Sequence, residues 1–296
     1  MTEFYGTGVA MVTPFNTDGS VDYDGLKNVI NHLIEGGVEY LVSLGTTGES
    51  AVLSSAEKKE VWKFTADIVA GRLPLVAGIA GNNTLEVVEQ FKNFDIKGYD
   101  AILSASPSYN KPAQEGIYQH YKALSAASKL PILLYNVPGR TGSNMSAETT
   151  LRLANDFKNI IGIKEASANF EQINTIIRDK PEGFLVISGD DMLALPLIAS
   201  GAVGVISVVS NALPRIFSDM VRLCLQEDFK EALPLHSSML EFTGLCFTEG
   251  SPGGVKAALK QLGICNDIMR LPLVNVTENI FTKINKELLK LNLVQV

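Results

Sequence analysis

Lys164 ends the apolar run Ile160-Ile161-Gly162-Ile163. Such a run reads as a buried strand, and an ammonium at its end is poorly solvated. Desolvation disfavours the cation and exposes a nucleophilic amine, which can form a Schiff base with a carbonyl substrate. Taken singly, Lys164 also fits a lysine whose stem snorkels out to the rim. Tyr135 closes Pro131-Ile132-Leu133-Leu134. A phenol beside a cation can give and take a proton in steps that need both; the same tyrosine could simply keep its ring in the core and its hydroxyl at the rim. Thr46 and Thr47 stand between Gly45 and Gly48, where hydroxyls and backbone N–H groups can converge on a small anion. A plain turn capped by Ser or Thr has the same composition. Arg140 follows Pro138-Gly139, a stiff loop from which to clamp a carboxylate bidentately, and equally a place for an exposed arginine. Asp190 and Asp191 follow Ser188-Gly189; they read as helix N-terminal acids and would repel a phosphate.

These groups form one site only if the chain gathers the strand ends that carry them. Short β-branched runs alternate with amphipathic stretches throughout. Gly8–Val12 precedes a helical pattern over Asp22–Gly36, and Tyr40–Leu44 precedes Ser55–Ala70. Leu75–Ile79 precedes Thr84–Asn93, and Asp100–Leu103 precedes Gln114–Ser128. Pro131–Tyr135 precedes Ser146–Asp156, and Ile160–Lys164 precedes Asn169–Arg178. Phe184–Ser188 precedes Asp190–Ala199, and Val203–Val208 precedes Pro214–Leu225. The strand runs are nearly all apolar, as expected of parallel strands covered on both faces. Eight units over about 220 residues predict an α/β fold, a closed (β/α)8 TIM barrel. A doubly wound sheet is the alternative, but the glycines at Gly6 and Gly8 lack the third of the dinucleotide fingerprint and precede a strand. Beyond Leu225 the pattern is helical: Phe229–Leu245, Ser251–Leu262 and Thr277–Leu293. The expected organisation is a catalytic barrel over residues 1–226 and a C-terminal helical region over 227–296.

Composition sets outer limits. The 296 residues include 25 Lys plus Arg and 32 Asp plus Glu, a net charge of −7. A pI near 5.1 argues against nucleic acid as a partner, which calls for a basic patch. No apolar run approaches the about 18 residues of a membrane span. The start, Met1-Thr2-Glu3-Phe4-Tyr5, has no basic segment followed by an apolar one, so a cytoplasmic location is expected rather than secretion. Cys224, Cys246 and Cys265 are odd in number and form no C-x-x-C pair, which suits reduced thiols. His32, His120 and His236 are scattered, and no metal site is expected. No Walker A or G-x-S-x-G sequence is present.

Four segments together resemble the dihydrodipicolinate synthase / N-acetylneuraminate lyase family: GTTGES at 45–50, YNVPGRTG at 135–142, GIKEAS at 162–167 and SGDD at 188–191. They fall in order at successive strand ends, and the likeness runs through the helical tail. The Thr47-Gly48-Glu49-Ser50 segment, PSYNKP with Tyr109, and Arg140 resemble the synthase branch of that family. The resemblance implies condensation of pyruvate with L-aspartate 4-semialdehyde to 4-hydroxy-tetrahydrodipicolinate, in lysine (diaminopimelate) biosynthesis. Another pyruvate-imine aldolase, such as an N-acetylneuraminate or 2-keto-3-deoxy sugar acid lyase, is the alternative; it would share Lys164 and Tyr135 and not need Arg140.

By the same resemblance Lys164 would carry the imine. Tyr135, Thr47 and Tyr109 would relay protons, Tyr109 across a dimer interface. Thr46 and Thr47 would hold the pyruvate carboxylate and Arg140 that of the aldehyde, while Gly189 and Ile206 would line the pocket. No metal or organic cofactor is implied. The implied assembly is a homotetramer, a dimer of dimers, or a homodimer. Lysine-inhibited members use a histidine and a tyrosine where this chain has Lys58 and Ser108; Asn82 and Glu86 are retained. An ammonium at Lys58 would repel lysine, so weak or absent feedback inhibition by L-lysine is expected.

Overall fold

The computed structural model describes residues 4–294; Met1 to Glu3 of the N-terminal reading lie outside them. Eight strands are present: β1 (Gly6–Ala10), β2 (Tyr40–Ser43), β3 (Leu75–Gly78), β4 (Ala101–Ala105), β5 (Ile132–Asn136), β6 (Ile160–Glu165), β7 (Leu185–Ser188) and β8 (Gly204–Ser207). All neighbours pair in parallel in sequence order, and β8 pairs back onto β1, closing the barrel. The (β/α)8 expectation holds. The first strand begins two residues earlier than the β-branched run suggests, because Gly6 pairs with Gly204 of β8. A Cβ at Gly204 would lie 2.0 Å from the Gly6 carbonyl oxygen, so only glycine permits that closure.

Alternation along the strands separates two apolar layers. Val42, Val76, Leu103, Leu133, Leu185, Ile187 and Ile206 fill the barrel interior. Leu41, Ala77, Ile102, Leu134, Val186 and Val205 face the helices. The continuous apolar runs are therefore two interleaved faces, each buried.

One irregularity positions the site. Ile132 pairs with Ile160, but the next residue of β5, Leu133, pairs with Gly162, so β6 bulges at Ile161. Counted strictly from Ile160, which faces the helices, alternation would turn Lys164 outward. The bulge restores it to the interior face, opposite Tyr135 on one side and Ile187 on the other. Re-aiming a side chain is what a bulge does.

The helix after β7 runs only over Ala194–Ala199 rather than from Asp190. The Asp190 carboxylate accepts from the Met192 and Leu193 N–H groups, holding residues 190–193 as a turn. The C-terminal helices Phe229–Thr248, Gly253–Gln261 and Glu278–Lys290 share the outer core, with Met239, Phe242, Val255 and Ile284 joining Phe217 and Met220. Gly254 packs against Cys246, whose Cα would lie 2.6 Å from an added Cβ. Cys224, Cys246 and Cys265 are unpaired. Among the described residues no helix is long and apolar enough to cross a membrane.

Candidate active site

Lys164 and Tyr135 are neighbours across the β5–β6 ladder. Lys164 is 4% exposed and Tyr135 8%. The Lys164 Nζ lies 4.5 Å from the centroid of the Tyr135 ring. The ring quadrupole attracts the ammonium and holds it beside the phenol. Both side chains open into a cavity of about 480 Å³ at the C-terminal end of the barrel, which Thr46, Thr47, Arg140 and Gly189 also line. The sequence-derived lysine, tyrosine, anion turn and arginine thus meet in one place.

Thr46 and Thr47 lie in a 3-10 turn, Thr46–Gly48, that leaves β2. The Gly48 carbonyl accepts from the Thr13 hydroxyl at 2.7 Å, and an added Cβ at Gly48 would meet the Met11 carbonyl oxygen at 3.2 Å. Arg140 sits in a single helical turn, Pro138–Thr141, rather than an open loop. Pro138 supplies the helical φ at its start, and the Arg140 N–H bonds the Val137 carbonyl.

Gly189 is placed against the lysine. A Cβ there would lie 3.1 Å from Lys164 Cε and 2.7 Å from Ala166 Cβ. Gly189→Ala is expected to lower kcat about 10-fold or more by displacing the amine, with the thermal midpoint moving only a few degrees. Comparing kcat with the melting curve checks it; an alanine variant with wild-type kcat refutes the crowding.

Two expected residues lie elsewhere. Ile206, on β8, is buried in the barrel interior and is not among the cavity-lining residues, where Val208 stands instead. Tyr109 is 89% exposed with φ +70, outside the cavity of its own chain. Ser108 gives its N–H and its hydroxyl to the Asn82 side-chain oxygen. Lys58, whose ammonium is disfavoured by partial burial, faces a groove with Glu86 and Trp62.

Several site groups escaped the sequence reading. Asp191 is 4% exposed and lines the cavity. Its Oδ2 accepts from the Val208 N–H at 3.1 Å. Burial pushes its carboxyl up to about 6, against the pull of hydrogen bonds from Ser207 and Val208 and of the Lys164 charge. The second carboxyl of SGDD is thus a buried cavity group and not a helix N-terminal acid. Gly244, Phe247 and Thr248 of the C-terminal region form another wall. Behind Lys164, Glu165 points outward and accepts from Asn136, Ser167 and Gln172, which fixes the end of β6 to β5 and the following helix. Among the described residues no cluster of His, Cys, Asp and Glu could hold a metal.

Comparison with known proteins agrees with this geometry. A sequence profile of the Dihydrodipicolinate synthetase family matches residues 3–291. The 4-hydroxy-tetrahydrodipicolinate synthase of Flavobacterium psychrophilum is 54% identical over 96% of this chain and 97% of the relative. That of Phocaeicola vulgatus is 53% identical over 95% of each. The crystal structure of dihydrodipicolinate synthase from Thermotoga maritima superimposes with a TM-score of 0.96 at 36% identity, covering 99% of this chain and 100% of that one.

Proposed function

Because the chain belongs to the dihydrodipicolinate synthetase family, we propose that it condenses pyruvate with L-aspartate 4-semialdehyde to 4-hydroxy-tetrahydrodipicolinate, a lyase-class step of lysine biosynthesis through diaminopimelate. The observation that carries this reading is the buried Lys164–Tyr135 pair at the mouth of a closed barrel. Lys164 Nζ adds to the pyruvate carbonyl carbon, and loss of water leaves a protonated imine. That imine is an electron sink. The methyl group loses a proton, and the resulting enamine attacks the aldehyde carbon. The amine of the second substrate then attacks the imine carbon, closing the ring and freeing Lys164. No metal or organic cofactor enters these steps.

In this reading Tyr135 and Thr47 move the protons, with Tyr109 supplied by a second copy of the chain. Its exposure in the single chain supports that placement, and it requires at least a homodimer; a homotetramer built as a dimer of dimers also meets it. Thr46 and Thr47 hold the pyruvate carboxylate, and Arg140 holds that of the aldehyde by a charge-assisted pair. The work is done in the cytoplasm.

Turnover with L-aspartate 4-semialdehyde and with N-acetylneuraminate, each followed with the purified protein, tests the assignment. Product from the semialdehyde alone supports it; cleavage of the sugar acid in its place would overturn it in favour of a sugar acid lyase. L-lysine is expected to leave the steady-state rate nearly unchanged at low millimolar concentration, since an ammonium at Lys58 repels that of lysine and Ser108 supplies no aromatic wall. Strong inhibition in that range would refute this.

A further inference from the structure

The turn that carries Thr46 and Thr47 is bracketed by two left-handed residues that are not glycine, Leu44 at φ +55 and Glu49 at φ +52. Such conformations are uncommon outside glycine and asparagine and persist only where the surroundings over-determine them. Glu49 ends the first 3-10 turn and begins the second, Ser50–Val52. Its side chain turns into the protein, fully buried. There one carboxylate oxygen accepts from the Lys256 ammonium and the other from the Arg270 backbone N–H at 3.3 Å.

Both partners come from the C-terminal region, more than 200 residues along the chain. Lys256 is fully buried in the helix Gly253–Gln261. It also donates to the Ile268 carbonyl at 2.8 Å, and its Nζ lies 4.4 Å from the Phe15 ring centroid. The Arg270 guanidinium reaches the end of the second 3-10 turn, donating to the Val52 carbonyl at 3.1 Å, and also donates to the Gly19 carbonyl at 2.7 Å and to Glu57. Glu57 in turn closes the capping box with Ser54 at the start of the next helix. The segment from Glu49 to Glu57 is therefore gripped at both ends by residues of the C-terminal region.

We propose that Glu49 and Lys256 are positioning residues for the reaction, the buried pair holding the Thr46–Thr47 turn in the geometry that receives the pyruvate carboxylate. The helix Gly253–Gln261 then sets the affinity for the first substrate without itself lining the cavity. This rests on the reading above, in which that turn binds pyruvate. A pair placed only for stability would serve equally well anywhere in the core. This one is attached to the strained residue two positions after Thr47.

The test uses the full-length protein and three variants: Lys256→Met, Glu49→Gln, and the two combined. The combined variant leaves no unpaired buried charge, so it stays informative if a single variant does not fold. Pyruvate is titrated in a borohydride-trapping assay of the Lys164 adduct, the KM for the semialdehyde is measured in turnover, and each variant is melted. The half-saturating pyruvate concentration is expected to rise at least about tenfold in the folded variants, with the semialdehyde KM within about twofold of wild type, because Arg140 lies on a different element. Wild-type half-saturation in a folded variant, with the loss confined to the melting temperature, overturns the positioning role and leaves the imine chemistry standing. Equal rises for both substrates overturn it too, since they indicate general loosening. Failure of the wild-type protein to trap pyruvate would instead overturn the reading of the site itself.

Discussion

Replacing Lys164 with methionine is expected to abolish the trapped pyruvate adduct and to cut turnover at least about 1,000-fold. The size follows from what the amine supplies. Without the imine, the pyruvate methyl must be deprotonated against an ordinary ketone, and no neighbouring side chain can form a replacement covalent link. Tyr135, Thr47 and Arg140 keep their places, so any residual rate reports binding and proton transfer alone. The fold should survive. Lys164 is 4% exposed, and an unbranched apolar chain of similar length occupies the same space without the cost of burying a cation. A melting temperature at or above wild type, together with a mass spectrum lacking the reduced pyruvyl increment, is the expected pair of results. An adduct at another lysine, with turnover within about tenfold of wild type, would refute the assignment of the nucleophile.

The barrel was legible because its evidence is periodic and local. Eight apolar runs in alternation with amphipathic stretches specify strand count, parallel pairing and double-sided burial. The site was legible so far as its residues close those strands, as Lys164, Tyr135, the Thr46–Thr47 turn and Arg140 do. What stayed hidden depends on contacts far apart in sequence or on a single inserted residue. Nothing local announces the bulge at Ile161, although Gly162 beside it is a signal that could have been used: a Cβ there would lie 2.7 Å from Leu185 Cβ, and an isolated glycine in a strand marks a bulge or a close approach. Because of the bulge, strict alternation from Ile160 gives the wrong direction for Lys164, even though its role follows from its chemistry. The sequence pairs Asp191 with Asp190 as helix N-terminal acids, and of the two only Asp190 holds a turn. Only the approach of the Val208 N–H and the wall from Gly244 to Thr248 make it a buried group. Lys256 carries no local signal of its contact, since the carboxylate it meets lies 207 residues away.

Tyr135→Phe separates the two functions that the Lys164–Tyr135 pair combines. The substitution removes one oxygen and leaves the ring, so the contact of 4.5 Å between Lys164 Nζ and the ring centroid and the packing of β5 persist. Lys164 therefore stays where it is and still reaches the pyruvate carbonyl. The phenol's part is proton movement: to the oxygen that leaves as water when the imine forms, from the methyl carbon, and to the alkoxide formed at the aldehyde. General acid–base groups of this kind contribute about 100- to 10,000-fold, and kcat is expected to fall within that span. The adduct should still accumulate, more slowly, because imine formation has an unassisted route through water whereas each condensation needs several matched transfers. The variant is thus expected to trap pyruvate at Lys164 almost completely after long incubation while turning over at a small fraction of the wild-type rate. If kcat and the final extent of trapping fell together, Tyr135 would be holding the lysine in place, and the proton relay would have to run through Thr47 and a group outside this chain.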